Sequence, residues 1–422
     1  MTAPSLRDLA LAEDYDPDSM PVDQARRHIR TFLEPVTTVE RLALRDALGR
    51  VLAEDIVSPL AVPGHDNSGM DGYAMRHADL DPAADTTLAV VGTSFAGHPF
   101  SGTVGSGQCV RIFTGAVVPE GCDTIVMQEK ARAEGDRVTV GSGARLGQNR
   151  RLAGEDIAVG ATVLRRGQRL RPAELGLIAS LGIGEVAVFR RLRVAFFSTG
   201  DELVGIGGTL GPGQIYDSNR YTLYGMLVEL GCEVLDMGVV RDTPEAVEAA
   251  FVAASAAADV VMTTGGVSVG DADHVRRMLD RLGEVLFWKI AMKPGRPLAF
   301  GRLGRAFFFG LPGNPVAVMV TFLQFVRDAL RVLGGQDDAA AAPSFQAVLT
   351  QALRKAPGRT EFQRGILSRA GDGGWTVRPT GDQGSGILSS MSQANCFLIL
   401  PPEQGNAEPG LVVTVQPFAG AL

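Results

Sequence analysis

Between residues 192 and 335 apolar runs of strand length alternate with stretches of helical spacing. LRVAFFS, EVLDMGVV, ADVVMTT, EVLFWKIAM and AFFFG read as strands. SNRYTLYGMLVELG, with Ser218 at its cap, the segment opened by Thr243 and Pro244, ADHVRRMLDRLG and NPVAVMVTFLQFVRDALRVLGG read as helices. Such alternation predicts an α/β domain over residues 189–335, a doubly wound, mostly parallel sheet covered on both faces, with ligands outside the carboxyl ends of its strands. The flanks follow other rules. Val22, Ala25, Ile29 and Phe32 keep helical spacing over residues 21–33, with Pro21 in the first turn, and a second helix is predicted over residues 39–48, closed by Gly49. Residues 77–149 carry short β-rich runs (LAVVGTSF, CVRIFTG, TIVMQE, RVTVGSG) between turn clusters. They predict a β domain, residues 63–149, inserted into a discontinuous N-terminal α+β domain of residues 20–62 and 150–188. After an Ala- and Asp-rich linker at residues 334–343, the runs FQAVLTQAL, GILS, WTVRP, CFLILPP and VVTVQPF predict a small C-terminal β-barrel or sandwich over residues 343–422. The first 20 residues read as a frayed acidic tail.

Composition narrows the function. At 422 residues with 45% apolar content the chain can bury several cores, and a net charge of −7 without any basic stripe argues against nucleic-acid binding. The amino terminus lacks the order of a signal peptide, and no apolar run reaches the ~18 residues of a membrane span, so a cytoplasmic protein with no membrane partner is expected. Cys109, Cys122, Cys232 and Cys396 are scattered, with no C-x-x-C pair. A metal held by this chain is therefore expected to be a hard cation on oxygen ligands.

Candidate chemistry concentrates in residues 259–315. An apolar run breaks into a glycine-rich turn, GGVSVG, starting at Gly265 and followed by Asp271 and Asp273. A strand feeding such a turn and a helix N-terminus suits an anion, because glycine admits close approach and free N–H groups face the ligand. Carboxylates beside a phosphate require a bridging cation such as Mg²⁺. Lys289, Lys293 and Arg296 follow; the two lysines, four apart, share one face of an extended strand. The turn lacks the lysine of a P-loop and is not G-x-G-x-x-G. Other motifs fall at the same predicted edge: Thr199, Gly200, Asp201 and Glu202; Arg241 and Asp242; and LPGNP, with Asn314 as cap and Pro315 in the first turn. Each has an ordinary reading as a turn or a cap, and their coincidence at one edge favours a site. Residues 64–76, GHDNSGMDGYAMR, are too rich in Gly, Asp and Asn for regular structure and form a candidate functional loop.

Taken in order, DNSGMDGYA, RIFTGAVVPEGCDTIVMQE, FSTGDEL, GQIYDSN, RDTPE, GGVSVGDAD, KIAMKPGRP, LPGNP, FQRG and QGSGILSSMSQANCFLIL make the chain resemble the molybdopterin molybdenumtransferases, the MoeA-like family that includes the gephyrin E domain. Gly69 stands where that family usually has Ala, and Asp271 where Glu is common. The resemblance implies an elongated homodimer of four-domain subunits that inserts molybdenum from molybdate into adenylylated molybdopterin and releases AMP, with Mg²⁺. It implies Glu202, Asp242 and Asp273 as acids and metal ligands, Lys289 and Lys293 as a basic pair, and Asp71 and Thr114 as residues reaching the partner subunit's site. It further implies substrate binding by Gly265, Gly266, Ser268 and Gly270, by Pro312 and Pro315, and by Arg364 and Ser385. With no adenylating domain in the chain, the adenylylated substrate is expected from a separate adenylyltransferase, and molybdoenzyme chaperones are expected as transient partners. Two other classes keep the same α/β module: a nucleotide-pyrophosphate hydrolase, and a carrier that binds molybdopterin without turnover.

Overall fold

The computed structural model describes residues 6, 15–265, 278–337, 342–371 and 373–418. Its centre is a six-stranded sheet. In chain order its elements are β9 (Arg193–Thr199), α3 (Ser218–Glu229), β10 (Glu233–Val240), α4 (Pro244–Ala257), β11 (Val260–Thr264), β12 (Gly283–Lys289), β14 (Pro297–Leu303), β15 (Ala306–Leu311), α5 (Pro315–Thr321) and α6 (Arg327–Leu333). The strand order is β10-β9-β11-β15-β14-β12. The first four run parallel, while β14 is antiparallel to both neighbours, which makes β12 parallel to β15. The sequence pattern predicts EVLFWKIAM and AFFFG as consecutive strands, and β14 lies between them as a strand that the pattern does not predict.

Period-two side-chain alternation explains why the middle strands are apolar throughout. Val194, Phe196, Val260, Met262, Phe307 and Phe309 enter one core with α3, α5 and α6. Ala195, Phe197, Val261 and Phe308 enter a second core against Val247, Phe251 and Ala254 of α4. Thr243 caps α4 as read, its hydroxyl accepting from the Ala246 amide, but Asp217 rather than Ser218 caps α3. The closing helix carries a π turn at Phe322–Val326 between α5 and α6. Of the helix expected at residues 272–283, the described part, residues 278–282, is helical.

The first helix, α1 (Val22–Phe32), packs Ala25 and Ile29 into the α/β core rather than with the rest of the N-terminal domain. Pro21 is its cap residue, one position earlier than expected. Residues 15–20 are tied down too: Met20 is buried, and Pro17 and Met20 exchange backbone hydrogen bonds with Lys289 and Ala291. The frayed-tail reading is thus wrong for these six residues.

The helix expected at residues 39–48 is instead β1 (Val39–Ala43) and a 3-10 turn, Leu44–Ala47. β1 alternates exposed and half-buried positions and pairs antiparallel with β8 (Glu185–Phe189). A partner more than a hundred residues away overrides a locally acceptable helix. The surrounding core unites Leu52 and Ile56 with Ile157, Leu164, Ile178 of α2 (Pro172–Ser180) and Val188 of β8.

The inserted domain is a sheet of β2 (Gly72–Met75), β3 (Thr86–Ser94), β4 (Gln108–Ile112), β5 (Thr124–Met127), β6 (Ala131–Glu134) and β7 (Arg137–Val140), ordered β5-β2-β4-β3-β7-β6. The structureless reading of residues 64–76 therefore fails: β2 is buried along its whole length between β4 and β5. Gly72 allows this, since a Cβ there would meet the Val126 carbonyl at 2.0 Å.

At the carboxyl terminus β16 (Phe345–Leu349), β17 (Thr360–Arg369), β18 (Trp375–Pro379), β19 (Cys396–Leu400) and β20 (Val412–Pro417) run β17-β18-β16-β20-β19, and β19 pairs again with β17. The five strands close, so the barrel rather than the sandwich is realised. The two-residue strand β13 (Met292–Lys293) joins β17 in parallel and fastens the barrel to the α/β domain.

Candidate functional site

From β9 the chain turns to β10 on one side and to β11 on the other, so the crevice between the carboxyl ends of β9 and β11 is the topological switch point of the sheet. Ser198 and Thr264 join hydroxyls across it at 3.0 Å. Gly265 follows with φ +84°, donating its amide to the Leu311 carbonyl at 3.2 Å. A Cβ on Gly265 would stand 2.8 Å from the Thr199 carbonyl, so the turn demands glycine both for its dihedral and for close approach. Gly313 of LPGNP lies alongside, and Pro315 opens α5, although Asn314 makes no side-chain cap bond. Pro312 and Pro315 thus make a rigid wall next to the glycine turn.

Two residues beside this crevice carry a signal that sequence reasoning did not assign. Asn219 donates Nδ2 to the Gly313 carbonyl at 2.7 Å, which fixes its amide orientation because a carbonyl can only accept. Its Oδ1, and Oδ2 of the α3 cap Asp217, are buried without a hydrogen-bond partner among the described residues. Both belong to GQIYDSN, whose sequence signal is that of a helix start. Buried orphan acceptors call for a donor from elsewhere.

The acids occupy neighbouring strand ends. Glu202 follows β9 and Asp242 follows β10, two strands in register at Thr199 and Val240. Both carboxylates are exposed, and neither makes an ion pair or hydrogen bond among the described residues. Asp273 lies outside the described residues, as do Gly266, Ser268, Gly270 and Asp271. Among the described residues no three His, Cys, Asp or Glu side chains cluster closely enough to hold a metal. Glu202 and Asp242 are nonetheless the hard, cation-free oxygen donors that suit Mg²⁺.

The two lysines differ from their expected arrangement. β12 ends at Lys289, and Lys293 belongs to β13, so they do not share the face of one strand. Each has found a carboxylate from outside the α/β domain. Lys289 Nζ meets Asp18 Oδ1 at 2.6 Å, and this hydrogen bond and charge hold the Asp18 carboxyl below its usual range. Lys293 Nζ meets Glu361 Oε1 of the barrel at 3.4 Å.

Arg364 is almost wholly buried, and its guanidinium serves its own loop. Nε donates to Ser390 Oγ at 2.9 Å, and the terminal nitrogens donate to the carbonyls of Asp382, Gln383 and Gly384. Burial pulls its pKa down to about 10, which leaves it protonated at neutral pH. The loop so held carries Ser385, whose carbonyl accepts from the Val316 amide at 3.1 Å and docks the loop on the start of α5.

Asp71 and Thr114 come together in the inserted domain. Asp71 Oδ1 accepts from the Thr114 amide and from its hydroxyl, both at 2.8 Å, and these two bonds lower the Asp71 pKa. Among the described residues, hydrogen bonds and ion pairs of residues 63–149 run within that stretch or to residues 150–154, and none reaches the α/β domain. A separate cavity of about 480 Å³ is lined by Arg169, Arg171 and Arg331, and none of the site groups above lines it.

A doubly wound domain with its charged motifs at the switch point, an inserted β sheet and a closed terminal barrel define a multidomain α/β protein with its candidate site at a sheet switch point. Residues 20–182 match the MoeA N-terminal region (domains I and II), residues 195–332 a probable molybdopterin binding domain, and residues 346–418 the MoeA C-terminal region (domain IV). The chain belongs to the molybdopterin molybdenumtransferase (MoeA) family. It is 47% identical to the molybdopterin molybdenumtransferase of Haemophilus influenzae, over 94% of this chain and 98% of that one. It is 32% identical to gephyrin of Dictyostelium discoideum, over 93% of this chain and 61% of gephyrin. A molybdopterin biosynthesis MoeA protein from Pyrococcus horikoshii superposes with a TM-score of 0.83 at 29% identity, covering 95% of this chain and all of that one.

Proposed function

We propose that this protein inserts molybdenum during molybdenum cofactor biosynthesis, taking adenylylated molybdopterin and molybdate to the molybdenum cofactor and AMP. The observation that carries the reading is the switch point, where the Gly265 turn and the LPGNP wall lie on one side of two neighbouring carboxylates, Glu202 and Asp242, that have no partner among the described residues. Mg²⁺ held by Glu202, Asp242 and Asp273 would neutralise the pyrophosphate of the adenylylated substrate and polarise its phosphorus. Lys289 and Lys293, at the same edge, attract molybdate and the phosphate oxyanions. Gly265 and the turn it begins seat an anion, with Gly266, Ser268 and Gly270 as further donors. Arg364 shapes the loop that brings Ser385 against α5, and Pro312 and Pro315 keep the facing wall rigid.

The site is shared within a homodimer, with Asp71 and Thr114 completing the partner's edge. Support comes from the lack, among the described residues, of any hydrogen bond or ion pair between the inserted domain and the α/β domain of the same chain, and from the exposed Tyr221, Tyr224 and Val228 of α3 beside exposed Ile215 and Tyr216. No helix among the described residues is long and apolar enough to cross a membrane. The adenylylated substrate comes from a separate adenylyltransferase. The test is AMP release by the purified protein from adenylylated molybdopterin and Mg²⁺, with and without molybdate. Release that requires molybdate is expected. Release without it would identify a pyrophosphate hydrolase, and tight binding with no release a carrier.

A further inference from the structure

Lys289 and Lys293 are held by carboxylates of opposite character. Asp18 is exposed, with 73% of its side-chain surface open, so an incoming anion can displace it from Lys289. Glu361 is 5% open, and the lysine it holds is half exposed. Burying a carboxylate is costly unless both oxygens are satisfied. Here Oε1 faces Lys293 Nζ, and Oε2 accepts from Gln363 Nε2 at 2.9 Å. Gln363 is anchored in turn by a bond to the Arg354 carbonyl at 3.0 Å.

Backbone pairing sets the same contact independently. β13 and β17 run parallel with Lys293 opposite Glu361, so the ladder that docks the barrel also aligns the pair. A third charge lies close by: Lys355, buried and caged by the carbonyls of Ala356, Pro402 and Gln404, has its pKa lowered by burial while Glu361 opposes the shift. Glu361 therefore faces two cations, and only Lys293 reaches solvent at the sheet edge.

We propose that Glu361 is a positioning residue for Lys293, fixing its ammonium at the edge of the site and making its use depend on docking of the barrel. The proposal rests on the role assigned to Lys293 above. A fixed, charged ammonium attracts an oxyanion without first losing side-chain freedom, whereas a released lysine must be ordered by the substrate. Asp18 cannot do the same for Lys289, because water and substrate both compete for it.

Two readouts test it in the full-length protein, with E361Q as the isosteric neutral variant and E361D as the charge-conserving one. The first needs no substrate: acylation of individual lysines by a water-soluble active ester, followed by mass spectrometry. Lys293 is expected to react several-fold faster in E361Q than in wild type, with Lys289 unchanged and E361D intermediate. The second is turnover. In E361Q the KM for molybdate rises on the order of tenfold with a smaller change in kcat, as for outer partners of site groups, and E361D recovers part of the loss. In a K293Q background E361Q should cost nothing further. Equal labelling of Lys293 in folded E361Q, or losses that multiply in the double variant, would overturn the proposal. If E361Q does not fold, unchanged Lys293 labelling in E361D overturns it equally. Absence of molybdate-dependent turnover in the wild type would count against the function, and the labelling result would still decide the role of Glu361.

Discussion

At the scale of single residues, the site is a contrast between groups left free and groups already spent. Glu202 and Asp242 have no partner among the described residues, whereas Arg364 has committed its donors to a loop and both lysines have carboxylates. Sequence lists all of these as charged residues near one another and cannot say which are spoken for. Asp71 yields a prediction with a definite sign. Its carboxyl titrates below the ordinary 3.8 because the Thr114 amide, then the Thr114 hydroxyl, bond its charged form. The contact is therefore complete above that ordinary value and is lost as the pH falls through the depressed one. Following the Asp71 carboxyl by NMR, T114A should move the midpoint back toward 3.8 but not all the way, since the amide remains. An unmoved midpoint would mean that the hydroxyl bond is not made in solution.

Elements are legible where one rule dominates and misread where two compete. Continuous apolar runs bounded by turn residues identified β9, β10, β11 and β15 because both faces of these strands bear on covering helices. β1 and β2 escaped because their signal resides in their partners. β1 is an amphipathic stretch that could be helix or strand until β8 pairs with it, and β2 hides in a Gly- and Asp-rich string that only β4 and β5 make into a strand. Gly265 is the element-scale test of the site. In G265A a Cβ must move away from the Thr199 carbonyl at a dihedral L-residues avoid, at a cost of ~1–3 kcal/mol. Denaturant unfolding should show that loss, and AMP formation should fall further than the loss of stability explains. A variant as stable and active as wild type would refute the tight turn.

For the whole molecule, the lack of any hydrogen bond or ion pair, among the described residues, between the inserted domain that carries Asp71 and the α/β domain makes the proposed dimer a matter of function. If Asp71 serves the partner's site, D71N and E202Q homodimers each carry two damaged sites, while a mixed dimer carries one site with both defects and one intact. Random exchange of equal amounts should restore roughly a quarter of wild-type AMP formation, as expected for an isologous pair. No recovery after subunit exchange, verified by tagged heterodimer isolation, would place Asp71 in the site of its own chain or in none.

What the sequence determined by itself is the set of segments and their order: parallel strands buried on both faces, helices marked by caps such as Thr243, a β insertion, and the ordered motifs that mark the family. These depend on neighbours within a few residues, where periodicity and turn chemistry act. Only the tertiary structure decided the pairing of β1 with β8, the closing of the barrel through β17 and β19, the packing of α1 into the α/β core, and the partners of Lys289, Lys293 and Arg364. Lys293 and Glu361 stand 68 residues apart, and Lys289 and Asp18 271 apart. Contacts at such separations are set by how whole domains pack, because the free energy that fixes them comes from burial and pairing spread over the assembled fold and not from the residues that meet.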